Sequence, residues 1–403
     1  MKIALFHNVN NGGVKRAIYE LSKELTRRGH IVDAFIPQTD REWFLPLDSV
    51  VNKKKNYTVK NIIPYINIKG LRTIYYYFSP WAQKSVQKRI AEDINKGQYD
   101  LAFVHQAIPT HGPYLLRYLD IPSVYYLNDP LLRGLEYNLV QKQEDNSRKN
   151  GLYNMLTNSS NTLYAKLILQ PIDKSNVRYA TRILVNSYCS HETILRAYGL
   201  NSYVCYLGVN SDKFNILPDL SKEDIILSVG RLHFSKGFRF ILRSLGKIKQ
   251  HIKNIKLVII GDVYYVEEHR FLTELARENN IDLEIKINIS EEDLIQYYNK
   301  ARLVLNAAYV EPFGLTTLEA MSCGTPVIGI KEGGVREVIE HGKTGLIVDR
   351  DDQRFGEAIL QLLNDSALCE EMGQNSREVV MEKWSIEKAT DRLLDHFMQV
   401  LSK

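Results

Sequence analysis

At 403 residues the chain exceeds the length that one hydrophobic core usually serves, so two domains are expected. Its 44% hydrophobic and 25% charged residues are those of an ordinary soluble globular protein, and no apolar run of eighteen or more residues exists, which excludes a transmembrane helix. The net charge of +5 hides a split, because residues 1–210 carry 27 Lys and Arg against 16 Asp and Glu while the remainder carries 25 against 31.

The elements alternate from the start. Met1 to Phe6 runs straight into polar His7-Asn8, too short for a signal-peptide core and readable as a first buried strand. Gly12 to Arg28 is helix-like and opens on Gly12-Gly13-Val14-Lys15-Arg16, where two glycines let backbone approach a ligand and expose N–H groups. That turn lacks the full G-x-G-x-x-G of dinucleotide sites. A strand follows at Ile31 to Ile36. The basic excess then concentrates between Lys53 and Lys96, interleaved with Tyr65, Tyr75, Tyr76, Tyr77, Phe78 and Trp81. Such a stretch suits first a solvated helix with its aromatics in the core, next an anionic membrane surface and least a nucleic acid, so no nucleic-acid partner is expected. Strands at Leu101 to Val104 and Ser123 to Leu127 end on His105 and on Asn128-Asp129. Residues 130–180 are polar and lack a clean period, and are read as helical excursions with loops. Arg182 to Ser187 closes the first half.

The second half repeats the theme: strands at Ile225 to Val229, Leu257 to Ile260, Leu283 to Lys286, Leu303 to Leu305, Pro326 to Gly329 and Gly345 to Val348. Short apolar strands separated by helical stretches imply βαβ units, and two such sets imply two Rossmann-like α/β domains with parallel sheets. The break is placed between Tyr206 and Pro218, giving residues 1–208 and 209–385. A terminal amphipathic helix over 386–403 presents Leu393, Leu394, Phe397, Val400 and Leu401 on one face.

Chemistry is expected at the carboxyl ends of these strands, where open α/β sheets bind ligands. Ser228-Val229-Gly230-Arg231-Leu232-His233-Phe234-Ser235-Lys236-Gly237 ends the first strand of the second half. Arg231 offers a planar fork of donors there and Lys236 a mobile point charge, a pair suited to a diphosphate. Glu311 to Glu319, E-P-F-G-L-T-T-L-E, follows a strand and opens a helix. The N–H groups of Gly314, Leu315 and Thr316 would sit at that helix N-terminus, a ready-made anion site. One glutamate precedes the turn and the other lies about one and a half turns into the helix. A sugar nucleotide has the matching layout of sugar, diphosphate and ribose.

Glu311 to Glu319 resembles the E-x7-E motif of the retaining glycosyltransferases of family 4, which have the GT-B fold. Gly230-Arg231-Leu232 with Lys236-Gly237 resembles the same family's V-G-R-L…K-G segment. Gly333-Gly334 with Glu337 resembles its Gly-Gly-x-x-Glu turn, and the pieces fall in family order. The resemblance implies two Rossmann-like domains facing across a cleft, a last helix that returns to the first domain, and transfer of a sugar from a UDP- or GDP-sugar with retention. It implies that Arg231, Lys236 and the amides after Pro312 stabilise the leaving diphosphate, that Glu311 orients the sugar and Glu319 holds the ribose. His105 matches the histidine that reaches toward the transferred sugar. Phe313, Gly314, Leu315, Thr316, Gly333, Gly334, Gly12 and Gly13 would lie around the donor, and Asn288 and Ile289 would hold the base through backbone. Lys15, Arg16 and Asn128 would face the acceptor; Asn128 departs from the His that relatives often carry there.

No metal or other cofactor is expected; Asp349-Arg350-Asp351 spells D-x-D but is read as solvated charge. The four scattered cysteines fit a reduced, cytoplasmic setting. The basic stretch from Lys53 motivates a lipid-linked or cell-surface glycan acceptor and contact with the inner membrane face. The rival readings are a non-catalytic glycosyltransferase-like partner subunit, which need not keep Glu311, Glu319, Arg231 and Lys236, and an epimerase or phosphorylase on the same fold. A phosphorylase would need a pyridoxal-phosphate lysine that is not found. A dehydrogenase lacks the dinucleotide fingerprint.

Overall fold

The computed structural model describes residues 1–9, 11–38, 44–59, 69–128, 163–252, 255–262 and 265–402, with side chains of the helix Lys69–Lys96 described from residue 80 onward. Tyr65 and Asp129, the aromatic side chains of residues 75–78, and most of the polar stretch 130–180 lie outside the described residues. The chain divides into two compact units, Met1–Tyr206 with Thr390–Lys403, and Leu207–Ala389.

The first unit is built on a seven-stranded sheet of order β3-β2-β1-β4-β5-β6-β7. Its strands are β1 (Lys2–Asn8), β2 (Ile31–Gln38), β3 (Lys53–Thr58), β4 (Leu101–Ala107), β5 (Ser123–Tyr126), β6 (Arg182–Val185) and β7 (Tyr203–Val204). Every pair is parallel, with Ile3 opposite Val32 and Leu101, and His105 opposite Tyr126. Helices cover both faces of such a sheet, which is why β1 and β4 are near-continuous buried runs. The strand order reverses between β1 and β4, so ligand-binding chemistry belongs at their carboxyl ends. The helix Gly12–Arg27 starts directly after β1, with no side chain capping its N-terminus.

Two differences from the sequence reading are local. The strand carrying His105 runs on to Ala107, so His105 lies within β4 rather than beyond it. Lys53–Thr58, read only as the start of a basic, aromatic-rich stretch, is the edge strand β3. Its run of lysines hid the strand, and charge on an edge strand is a common guard against pairing with another chain.

The second unit holds a six-stranded parallel sheet of order β10-β9-β8-β11-β12-β13. These are β8 (Ile225–Val229), β9 (Lys256–Gly261), β10 (Asp282–Ile287), β11 (Leu303–Asn306), β12 (Val327–Ile330) and β13 (Gly345–Val348). The order again reverses beside the first strand, between β8 and β11. The core of this unit packs Phe238, Ile241, Leu242 and Leu245 of the helix Phe238–Ile248 with Phe355, Ile359 and Leu362 of the helix Asp352–Asn364 and the buried faces of the strands.

The terminal helix Ile386–Leu401 starts in the second unit, and its residues from Thr390 onward belong to the first. Leu393, Phe397 and Val400 are buried, as the apolar stripe demands. Phe397 meets Phe103 of β4 edge-on with centroids 5.2 Å apart, and Arg182 donates to Gln399 at 2.7 Å. Among the described residues no helix is long and apolar enough to cross a membrane.

Candidate active site

In the second unit the loops after β8, β11 and β12 are pressed together by glycines. Gly237 has φ +71°, and a Cβ added there would lie 2.0 Å from the Ala307 carbonyl oxygen, so no other residue fits. The Tyr309 N–H donates to the Ser235 carbonyl at 2.8 Å, fixing the β8 loop against the segment that leads to Glu311. Across that segment, Gly333 and Gly334 abut the Glu311–Pro312 turn. Their Cβ positions would fall 2.2 Å from the carbonyl oxygens of Glu311 and Pro312, and the Gly334 N–H donates to the Glu311 carbonyl at 2.7 Å.

This packing unites side chains that the sequence scatters over about a hundred positions. Lys236 Nζ donates to Glu311 Oε2 at 2.6 Å, both groups partly exposed. Gly314, at φ +99°, begins the helix Leu315–Ser322 without a side-chain cap, and its first-turn N–H groups form the positive end of the helix dipole. Phe313 is buried and packs near the Trp384 ring. Arg231, immediately after Gly230, is exposed and faces Asp262 at 3.7 Å, longer than a hydrogen bond. Asn288 follows β10 in the left-handed region, φ +54°, its N–H donating to Gly261 O at 2.9 Å, with Ile289 next to it. The set combines two cations, an uncapped helix N-terminus and a partly exposed carboxylate.

Glu319 lies deeper than the sequence suggests. It is buried, and Oε2 accepts from the Tyr298 hydroxyl at 2.8 Å. Sequence alone does not single out Tyr298, because an aromatic on the inner face of the helix Glu291–Lys300 is indistinguishable from core. His233 caps the short turn Phe234–Lys236. Burial first, and then the positive charges of Arg231, Lys236 and Arg239, pull its pKa down to about 4, so the ring is neutral at pH 7.

The D-x-D reading needs correction. Arg350 is not solvated: its guanidinium pairs with Glu332, donates to the carbonyls of Ala307 and Ala308, and leaves the side chain 17% exposed. Asp349, paired with Arg354, and Asp351, which caps the following helix by accepting from the Arg354 N–H, are both exposed charges as expected. Among the described residues no group of three His, Cys, Asp or Glu side chains could hold a metal.

The first unit brings together a second set at the ends of β1, β4 and β5. Gly12 has φ +80° and Gly13 is exposed at the start of the helix. Lys15 is turned fully inward, Nζ 3.3 Å from His7 Nε2, whereas Arg16 lies on the ring of Phe44 with 5.8 Å to the centroid. His105 is buried, stacked on Tyr126 at 5.7 Å, and neither ring nitrogen has a hydrogen-bond partner. Burial, aided by the charge of Lys15, lowers its pKa to about 3. Burial likewise drives the pKa of His7 well down. Asn128 is buried with an unpartnered Nδ2. Unsatisfied buried polar atoms are costly, and among the described residues His105 and Asn128 share this state with atoms of Gln170, Arg182, Asp262, Asp352 and His396, among others.

Residues 11–213 match the family model described as Glycosyltransferase Family 4, and residues 210–379 that described as Glycosyl transferases group 1. An N-acetyl-alpha-D-glucosaminyl L-malate synthase of Bacillus anthracis is 30% identical over 44% of this chain and 46% of its own length. An uncharacterized glycosyltransferase of Methanocaldococcus jannaschii is 25% identical over 93% of this chain and 91% of its own. Among solved structures, the Anabaena protein HepE in complex with UDP-glucose superposes with a TM-score of 0.73 at 16% identity, covering 99% of this chain and 100% of that one.

Proposed function

This chain belongs to glycosyltransferase family 4 and has the GT-B fold, and we propose that it moves a sugar from a UDP- or GDP-sugar to a hydroxyl acceptor with retention of configuration. The observation that carries this reading is the convergence of Lys236, Glu311, the uncapped helix at Gly314 and the Gly333-Gly334 turn on one side of one sheet. Lys236, Arg231 and the helix N-terminus supply fixed positive potential where negative charge grows on the departing diphosphate. Such preorganised charge costs no reorganisation during reaction, which is how bond cleavage to a diphosphate is accelerated without a covalent partner. Glu311, held by Lys236, accepts from hydroxyls of the transferred sugar. Glu319, oriented by Tyr298, accepts from the ribose after a small outward shift. The acceptor hydroxyl approaches the same face of the sugar, and its proton passes to the leaving phosphate oxygen as that bond breaks.

In the first unit, neutral His105 offers a ring N–H or a lone pair to the sugar, and Asn128 and Arg16 bind acceptor. Lys15 supports His7 in the present conformation, so its part in acceptor binding requires the side chain to turn outward. The reaction needs no metal on this reading. UDP-glucose in the HepE complex supports a nucleotide-sugar donor.

A lipid-linked or growing cell-surface glycan is the proposed acceptor. The exposed face of the helix Lys69–Lys96 supports it, with Trp81, Lys84, Lys88 and Arg89 at spacings that share one side. Co-sedimentation with anionic vesicles at low salt checks that part; no binding would favour a soluble acceptor. The donor reading is tested by thermal shift against UDP-, GDP-, ADP- and dTDP-sugars in EDTA, with Glu319→Ala as control. A melting-temperature rise with one nucleotide family, absent from the variant, is expected. No rise with any of them would favour a non-catalytic partner subunit.

A further inference from the structure

We propose that Arg350 and Glu332 form a positioning clamp that holds the diphosphate-binding turn in its working geometry; this rests on the donor reading above. Arg350 follows β13, and Glu332 immediately precedes Gly333. The pair is bidentate, Nε to Oε1 and Nη2 to Oε2, both at 2.8 Å. From the same guanidinium, Nη1 donates to the Ala307 carbonyl at 2.9 Å and Nη2 to that of Ala308 at 3.0 Å. Its Cζ lies 3.8 Å from the Tyr309 ring centroid and 5.3 Å from that of Phe240.

One cation therefore joins the loops after three neighbouring strands, β11, β12 and β13. The loop after β8 leans on the same place, because the Ala307 carbonyl is the atom against which Gly237 packs. The loops after β8, β11 and β12 each carry a group of the candidate site: Lys236, Glu311 with the Gly314 turn, and Gly333-Gly334. Four of the five guanidinium N–H groups are already donated within the protein, which makes Arg350 a positioning residue rather than a ligand contact. A helix terminus binds an anion well only when its N–H groups are held in place before the anion arrives. Lysine cannot replace the clamp, since a point charge on a flexible stem cannot serve two carboxylate oxygens and two carbonyls at once.

The alternative is that the pair stabilises the fold and nothing more. Isothermal titration with UDP, UMP, GDP and GMP, alongside melting temperatures, separates the two for the wild type, Arg350→Lys, Arg350→Met, Glu332→Gln and Arg350→Met combined with Glu332→Gln. Methionine keeps a stem over Tyr309 and Phe240, and glutamine keeps the size of Glu332. The expected result is that Arg350→Met weakens the diphosphate by about tenfold or more and the matching monophosphate by less than about threefold. Glu332→Gln and Arg350→Lys should move the ratio in the same direction, and the combined variant should bind no more weakly than Arg350→Met alone. An unchanged diphosphate-to-monophosphate ratio in Arg350→Met and Glu332→Gln overturns the clamp, whatever their melting temperatures. Should Arg350→Met not fold, an unchanged ratio in Glu332→Gln overturns it by itself. A wild type that binds none of the four nucleotides overturns the donor reading and the clamp together.

Discussion

Lys236 and Glu311 neutralise one another at 2.6 Å, so on the donor reading proposed above a bound donor would exchange this contact for its own phosphate and hydroxyl groups. Partial exposure makes the exchange cheap, because ion pairs near solvent contribute only about 0–1 kcal/mol. Lys236→Met should therefore change the melting temperature little while lowering nucleotide-diphosphate affinity about tenfold or more, which titration calorimetry reads directly. Glu319 is the opposite case. Tyr298→Phe removes the hydroxyl that its buried carboxylate accepts from, at a cost of about 1–3 kcal/mol. Differential scanning fluorimetry should show a drop of several degrees, and donor affinity should fall with it. His233 brings pH dependence. Its folded pKa, about 4, lies below the ordinary value of 6.5, so the unfolded chain takes up the proton first as pH falls. Its contribution is intact above about pH 6.5 and is lost as pH falls through the folded pKa. His233→Gln should flatten the slope of melting temperature between pH 7 and 4.5; an unchanged slope would show that the ring is not held neutral.

At the scale of elements, the turns that make the site follow a strict steric rule. Gly237→Ala puts a methyl group 2.0 Å from the Ala307 carbonyl at a positive φ, so the β8 loop must part from the β11 loop. That variant should lose nucleotide binding and several degrees of stability, whereas Gly342→Ala, with open space around it at φ +79°, should cost about 1 kcal/mol from backbone strain alone and leave binding intact. Most of the strands and the loops bearing Arg231, Lys236, Glu311 and Gly333 were legible because each is marked locally, by apolar runs ending in Gly, Pro and charge. Arg350 was not, because its partners Ala307, Ala308 and Glu332 become its neighbours only once β11, β12 and β13 lie side by side. β3 was hidden for a related reason: its lysines tolerate a strand only because β2 supplies the pairing on one side. The inward turn of Lys15 follows from a tertiary contact with His7 that spacing does not encode.

Each unit of the whole molecule has its own sheet and core, yet the first is finished by residues from the far end of the chain. Leu393, Phe397 and Val400 are each buried, and side chains of this kind contribute about 1.5–3 kcal/mol apiece. Removing residues 390–403 should therefore lower the unfolding temperature of the first unit far more than that of the second. Scanning calorimetry should resolve this as one early and one nearly unshifted transition. Phe397→Ala should do the same in smaller measure, at about 3–5 kcal/mol.

The terminal helix also sets an order of events during synthesis. The first 206 residues leave the ribosome early but wait for Phe397 before the face around Phe103 is covered. The second unit, made later, has all of its own core residues in hand by Ala389 and is free to fold first. A stop codon between 390 and 397 would then harm the earlier-made first unit, leaving an apolar face open to chaperones or to a neighbouring nascent chain.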